Sequence, residues 1–472
     1  MEFSKTLEVW GTGGPSSLPI KKNNDPTAKG KVFYSPESRA LQQCKGEINL
    51  FYQEGKWDDY KKITNPYEYI FLSWNRRSSR SVAKRQPLSR SYFKMIELWK
   101  LLNMTEELKK ISKDGKICTA HAAEGPGGFI EACATMIEKD DMKFMNATAI
   151  TLRSDLKNVP GWRKATRFLQ NYPQVKIHDG KDGTGNILLE SNQDAFVESV
   201  LEKNPNGVNI FTADGGFDFS NDYNAQEDSV FPLLLAESII GLRVLEKGGY
   251  CIIKCFDTFE QQTHDLLWLL TRAFCEWGLV KPRTSRAGNA ERYFIGKGFL
   301  GNIDDIIQIL IQYQRSEKFT CPILAEPVLC DSWKPMLALM ASLQEKIEHV
   351  EIIVIRQTLD LIRSSKSADI NSFVHANVLR SIDWCKEHNE DITSCWINDF
   401  EKNVQKETSD LLHILHPAHS SNSVTYSNWP SRSTTSVAPN ISFEGFRSGT
   451  FNANSTDSNP FVRIKGKFPM MH

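Results

Sequence analysis

Four charged side chains in this chain sit where apolar neighbours disfavour charge. Lys94 lies in LSRSYFKMIELWK, on the inner part of an amphipathic helix beside Phe93, Met95 and Ile96. Asp214 ends an apolar run and precedes two glycines in TADGGFDFSNDYNAQE. Lys254 closes the apolar run of GGYCIIKCFD, and Glu291 opens that of SRAGNAERYFIGKGF. Each alone has an ordinary reading: an Asp-Gly turn, or a lysine whose stem snorkels to a sheet edge. Together they suit general-base chemistry. Two carboxylates can hold and orient two ammonium groups, and a second cation beside a partly buried lysine is expected to lower its pKa towards neutrality.

A fifth feature supplies a place for a ligand. In CTAHAAEGPGGFIEA, starting at Cys118, a short apolar strand runs into a Gly/Pro turn and an amphipathic helix opens directly after it. Gly125, Gly127 and Gly128 permit close backbone approach and positive φ, and a helix N-terminus offers free N–H groups. The spacing is not GxGxxG, so a dinucleotide fingerprint is absent. A small-residue turn still suits a ligand across the carboxyl ends of a parallel sheet.

The elements around these residues read as alternating strands and helices. Candidate strands are 117–120, 147–152, 208–213, 250–254 and 292–296, with helices over 128–138, 230–245 and 261–277. That alternation predicts an α/β fold, a parallel sheet covered by helices on both faces. The expected organisation is an irregular arm over 1–47, the α/β domain over 48–300, a helical module over 301–415 and a disordered polar tail over 416–472. In the module Leu339, Leu343, Ile347, Val350 and Val354 share one stripe, and either support of the α/β domain or a docking surface would explain it.

Composition narrows the class. Lys+Arg and Asp+Glu are both 57 in 472 residues, so the net charge is zero, which excludes a histone-like coat but not a local basic groove. The run NRRSSRSVAKRQPLSR carries six basic residues, Arg76 and Arg77 among them, and no acid. The ten cysteines form no CxxC or zinc-finger spacing, no secretory signal opens the chain and no long apolar run is present, so an intracellular protein without a metal is expected.

The blocks NPYE at 65–68, SRSYFKM around Lys94, EGPGGF at 124–129, DGGF at 214–217, IIKCFD at 252–257 and KPRTSRAGNAERY from Lys281 resemble the FtsJ-type ribose 2′-O-methyltransferases. The likeness is stronger to the eukaryotic and large-DNA-virus branch that methylates capped mRNA, and it covers about 65–299. It implies a Rossmann-like sheet, mostly parallel with one antiparallel edge strand, S-adenosylmethionine as cofactor, capped mRNA as partner, and a K-D-K-E tetrad of Lys94, Asp214, Lys254 and Glu291 with Lys254 as general base. It also implies cofactor contacts from Ala123, Glu124, Gly125, Pro126, Gly127, Gly128 and Phe129, and from Asn186 and Ile187, where Asn186 replaces the family's common acid. RNA contacts are implied at Asn224, Gln226 and Asn289, and the cleft-side arginines Arg76 and Arg77 are expected to meet the cap triphosphate and RNA backbone. Tyr67 and Trp74 are candidate stacking platforms, and His121 reads as a packed residue. Other capping or transcription machinery could dock on the helical module. An rRNA or tRNA methyltransferase of the same fold, or a non-catalytic capping subunit, are the alternatives; residence in nucleus or cytoplasm stays open.

Overall fold

The computed structural model describes residues 5–14, 20, 22–25, 27–52, 55–72, 81–154, 159–216, 226–325, 333–364 and 366–415. Eight strands form one sheet: β1 (Leu7–Thr12), β2 (Lys116–Ala122), β3 (Lys143–Ile150), β4 (Val175–His178), β5 (Val208–Ala213), β6 (Leu245–Cys255), β7 (Phe274–Lys281) and β8 (Arg292–Phe299). Their order is β1-β7-β8-β6-β5-β2-β3-β4. The five strands from β6 to β4 run parallel, and apolar on both faces as buried parallel strands must be; β5, for example, is buried at every position. The order reverses between β2 and β5, which opens a crevice at their carboxyl ends.

The helices are α1 (Pro36–Tyr52), α2 (Lys56–Thr64), α3 (Ser91–Leu101), α4 (Met104–Ile111), α5 (Gly128–Lys139), α6 (Thr166–Asn171), α7 (Glu190–Lys203), α8 (Gln226–Val244), α9 (Gln261–Arg272), α10 (Asp304–Ser316), α11 (Trp333–Ser364), α12 (Ser367–Glu387), α13 (Ser394–Asn398) and α14 (Phe400–Leu415). They flank the sheet, and Phe129, Ile130, Cys133 and Ile137 of α5 are fully buried against it.

The structure departs from the sequence expectations in three places. Antiparallel pairing is not confined to one edge: β8 is inserted between β6 and β7, antiparallel to both, and β1 adds an antiparallel edge on β7. The first 47 residues are not uniformly irregular, because they supply β1 and most of α1. The helix expected over 261–277 stops at Arg272, and Phe274 starts β7.

Helix α11 packs against α1 and α2. Its stripe buries Leu343, Ile347, Val350 and Val354, while Leu339 is half-buried and Met336 and Met340 fill that end. Thr64 and Thr358 share a hydrogen bond of 2.7 Å between hydroxyls. Met1–Leu415 form one compact unit; the expectation of a disordered tail after residue 415 lies outside the described residues. No helix among the described residues is long and apolar enough to cross a membrane.

Candidate active site

The turn after β2 is built by its glycines. Gly127 has φ 106°, a conformation that side chains avoid. Gly128 opens α5, and a side chain there would collide with the hydroxyls of Ser89 and Ser91 and the amide of Tyr92. Its smallness therefore lets the start of α3 lie against the start of α5, and so places Lys94 one helical turn further on. No side chain caps α5, so its first amides are directed at the sheet's carboxyl edge.

Lys94, Asp214, Lys254 and Glu291 meet there. Lys94 Nζ lies 2.8 Å from Glu291 Oε1 and 2.9 Å from Oε2, and 3.8 Å from Asp214 Oδ1. Lys254 Nζ is 3.3 Å from Asp214 Oδ1 and 3.9 Å from Glu291 Oε2, and donates to the Asp214 carbonyl at 2.9 Å. All four side chains are nearly buried. Strand pairing sets this arrangement: Lys254 lies opposite Tyr293 across β6 and β8, and Glu291 is two residues earlier on the same face.

Tyr293 is a member of the cluster that the sequence reading missed. Its hydroxyl donates to Asp214 Oδ1 at 2.8 Å and accepts from Lys94 Nζ at 3.1 Å. The signal was the period of two in Glu291-Arg292-Tyr293, which puts the phenol beside the carboxylate.

The electrostatics correct one expectation. Burial acts to lower the pKa of Lys254, but Asp214, Glu291 and Glu237 outweigh it and hold the value above that of an ordinary lysine. Two carboxylates stand beside Lys254 Nζ, Asp214 at 3.3 Å and Glu291 at 3.9 Å, and favour its ammonium form. Burial would raise Glu291, yet Lys94, Lys254 and Lys281 keep its carboxyl well below the usual range. Lys281 is lowered to about 8, mainly by burial.

The turn residues divide by role. Glu124 faces the interior, where Thr212 donates to its Oε1 and His121 Nδ1 lies 3.2 Å from Oε2. Burial raises its pKa. His121 is fully buried and hydrogen-bonds Thr119 and Thr212, each at 2.7 Å, so it is packed. Ala123, Gly125, Pro126 and Phe129 form the turn's backbone, with Phe129 buried against Tyr293 at a ring separation of 5.6 Å. Asn186 Oδ1 accepts from Leu188 N at 3.1 Å, closing a local turn, and Ile187 is buried beside it. Leu152, just past β3, is exposed and gives that edge an apolar surface.

The polar positions are more dispersed. Asn289 Oδ1 accepts from Lys281 Nζ at 3.0 Å and from the Glu291 amide at 3.3 Å, so it braces the loop that carries Glu291. Gln226 starts α8, is buried, and its Oε1 has no partner among the described residues. Arg90, counted in the basic run, turns inward: it donates to the carbonyls of Glu68, Tyr67 and Thr284 and pairs with Glu68 at 3.3 Å. Tyr67 is buried, with the Arg283 guanidinium 5.8 Å from its ring centre, so it is no open stacking platform. Arg76, Arg77, Trp74 and Asn224 lie outside the described residues.

The residues at this edge fit a sulfonium cofactor with an amino-acid end: uncapped helix amides for a carboxylate, an exposed leucine for a base, and acidic side chains beside a cationic centre. Fold and site together define a doubly wound α/β architecture with a buried cluster of paired charges at the carboxyl edge of its parallel strands. Residues 87–299 match the FtsJ-like methyltransferase family.

Its relatives include proteins named "Cap-specific mRNA (nucleoside-2'-O-)-methyltransferase 1". That of Trypanosoma cruzi (strain CL Brener) is 32% identical over 221 residues, which is 45% of this chain and 57% of the relative. The Homo sapiens protein is 39% identical over 190 residues, 40% of this chain and 22% of the relative. The Xenopus laevis protein is 37% identical over 137 residues, 29% of this chain and 16% of the relative. The matches thus span from 16% to 57% of these relatives' own length.

Proposed function

We propose that this protein transfers a methyl group from S-adenosylmethionine to the ribose 2′-OH of the first transcribed nucleotide of capped mRNA. The observation that carries the reading is the meeting of Lys94, Asp214, Lys254 and Glu291 beside the glycine turn of an FtsJ-like domain.

The cofactor, when bound, supplies an electrophilic methyl group and a fixed positive charge. The turn 123–129, Leu152, and the segment around Asn186 and Ile187 would hold it. In the protein alone Lys254 keeps its proton, since the surrounding carboxylates favour the ammonium. A cation brought to this edge opposes that preference, and Lys254 Nζ then becomes the acceptor for the ribose hydroxyl proton. Lys94 stays tied to Glu291 and Tyr293, so one ammonium is retained while the other is released. Asp214 keeps Lys254 Nζ at its station through both its carboxylate and its carbonyl. Holding the hydroxyl oxygen in line with the methyl carbon and the sulfur it leaves, with the Lys254 amine beside the hydroxyl proton, would account for much of the rate enhancement such a site delivers.

The test is methyl transfer to capped and uncapped RNA of one sequence, with the modified nucleotide identified after digestion. Lys254→Ala is expected to lower transfer by about a thousandfold, within the range general bases contribute, with cofactor affinity preserved. Full activity in that variant removes Lys254 as base, and equal rates on the two RNAs remove the cap as determinant.

A further inference from the structure

Behind the site, on the opposite side of β8 from Glu291, a chain of buried charges reaches into the helical module. Arg292 alternates away from Glu291 and Tyr293, and its side chain is 1% exposed. Its Nε donates to the Ala290 carbonyl at 3.1 Å, Nη1 donates to Gln344 Oε1, and Nη2 is 3.4 Å from Asp257 Oδ1. Asp257 is three residues past Lys254; its other oxygen lies 3.2 Å from Lys45 Nζ, which pairs in turn with Glu351 Oε1 at 3.3 Å. Gln344 also accepts from Thr258 at 3.3 Å and donates to Glu348 at 2.9 Å, and Glu348 accepts from Ser38 at 2.6 Å. Gln344, Glu348 and Glu351 all belong to α11, and Lys45 and Ser38 to α1.

A second brace holds the same loop, whose Ala290 carbonyl Arg292 also engages. Lys281 Nζ donates to the Asn289 carbonyl at 2.6 Å, to Asn289 Oδ1 at 3.0 Å and to the Glu291 carbonyl at 3.0 Å. All three of its N–H bonds hold the loop that presents Glu291. The charges acting on it are Glu351 from α11, Glu291 and Arg292 from the start of β8, and Lys94 from α3.

We propose that α11 is a working part of the site: Gln344 and Glu351 are positioning residues that, through Arg292, Asp257 and Lys281, fix the strand ends carrying Glu291 and Lys254. The inference rests on the function proposed above and gives the helical module a role in catalysis. Buried charges need partners at fixed places, so the network has one low-energy arrangement, and displacing it displaces the tetrad.

Lys281 provides a readout that plain scaffolding would not move. Burial lowers its pKa to about 8, so around that pH it gives up a proton, and with it one of its bonds to the Glu291 loop. Without the anion of Glu351, that proton leaves at lower pH.

The experiment measures kcat and KM on capped RNA across a pH series for the full chain and for folded Glu351→Gln and Gln344→Leu. Wild-type kcat is expected to fall on the alkaline side. Each variant is expected to lose about tenfold in kcat with KM within about twofold, and Glu351→Gln moves the alkaline limb to lower pH. Wild-type kcat in either variant, a uniform loss at every pH in Glu351→Gln, or a wild type with no alkaline limb overturns the proposal. A wild type inactive on capped RNA instead defeats the function reading. Competitive acetylation of Lys281 read by mass spectrometry then still decides the network, since its titration must shift down in Glu351→Gln.

Discussion

Tyr293 separates two ways in which a phenol could serve this cluster. It bridges Lys94 and Asp214, so it could hold them in register or simply fill the space beneath them. Burial and the neighbouring carboxylates of Asp214 and Glu291 push its own pKa far up, so it stays a neutral donor and cannot act as base. Removing the hydroxyl leaves Asp214 Oδ1 without its shortest side-chain donor, while the aromatic packing on Phe129 persists. Tyr293→Phe is therefore expected to lower kcat about tenfold, a loss of one charge-assisted hydrogen bond, with thermal stability nearly unchanged and KM for RNA little altered. Steady-state kinetics beside a melting curve checks this; an unchanged kcat would assign the hydroxyl to packing. Gly215 belongs to the same scale. A methyl group there would overlap the buried carboxyl of Glu237, Ala123 and Leu233, so the glycine after Asp214 is demanded by the helix beneath it.

At the scale of elements, the sheet edge on the far side from the glycine turn is held by aromatic rings lying over glycines. Gly278 of β7 faces Trp10 of β1, and Gly11 of β1 faces Trp277; Lys297 Nζ sits 4.1 Å from the Trp10 ring centre. Gly278→Val would drive its side chain into the indole and is expected to detach β1, exposing it to protease and raising hydrogen exchange along β7. The parallel strands β2 to β6 should be unaffected, and protection of β1 in that variant would show that its ladder, not this packing, holds it. These same elements mark the limit of what could be read from sequence. The strands that end in Asp214 and Lys254 were legible because they are short apolar runs between turn residues, and Lys94 because its apolar neighbours show helical spacing. Strand β7 was not, since Leu266, Leu267, Leu270, Phe274 and Trp277 continue a helical spacing and only pairing with β8 and β1 decides otherwise. Strand β1 depends wholly on that partner. Asn289 was read as RNA-facing and Arg90 belongs to the basic run, yet a single sequence cannot tell an inward-turned polar group from an outward one, and both brace the site's own loops.

Across the whole molecule, buried carboxyls of two kinds set the response to pH. Two salt-bridged ones are depressed: burial would raise Glu68, but Arg286 and Arg90 hold it at about 2, and Lys94 and Lys254 hold Glu291 well below the usual range against its burial. Their contribution is present above an ordinary glutamate's pKa and is lost as pH falls through the folded value. The other kind is raised by burial: Asp265 and Glu260 to about 7, and Glu227 and Glu237 well above the usual range. These groups bind protons more tightly folded than unfolded, so their contribution is complete below about pH 4 and declines as pH rises through their folded values. His264, lowered by burial to about 4, acts the other way, its contribution growing from pH 4 to 6.5, and burial lowers His178 and His388 as well. The raised carboxyls, Asp228, Glu246 and Glu390 also among them, outnumber these histidines. Stability is thus expected to peak in mildly acidic solution, with a melting temperature lower at pH 8 than at pH 5.5 by about 5 °C. Asp265→Asn isolates one group. Oδ2 of Asp265 accepts from the amides of Ile323 and Leu324 at 3.0 and 3.1 Å, while Oδ1 is buried without a hydrogen-bond partner among the described residues. An asparagine keeps the acceptor and never ionises, so the variant should lose less stability between those two pH values than the wild type. A melting temperature that rises from pH 5.5 to 8 would mean that these carboxyls ionise freely in the folded protein, against the burial that surrounds them.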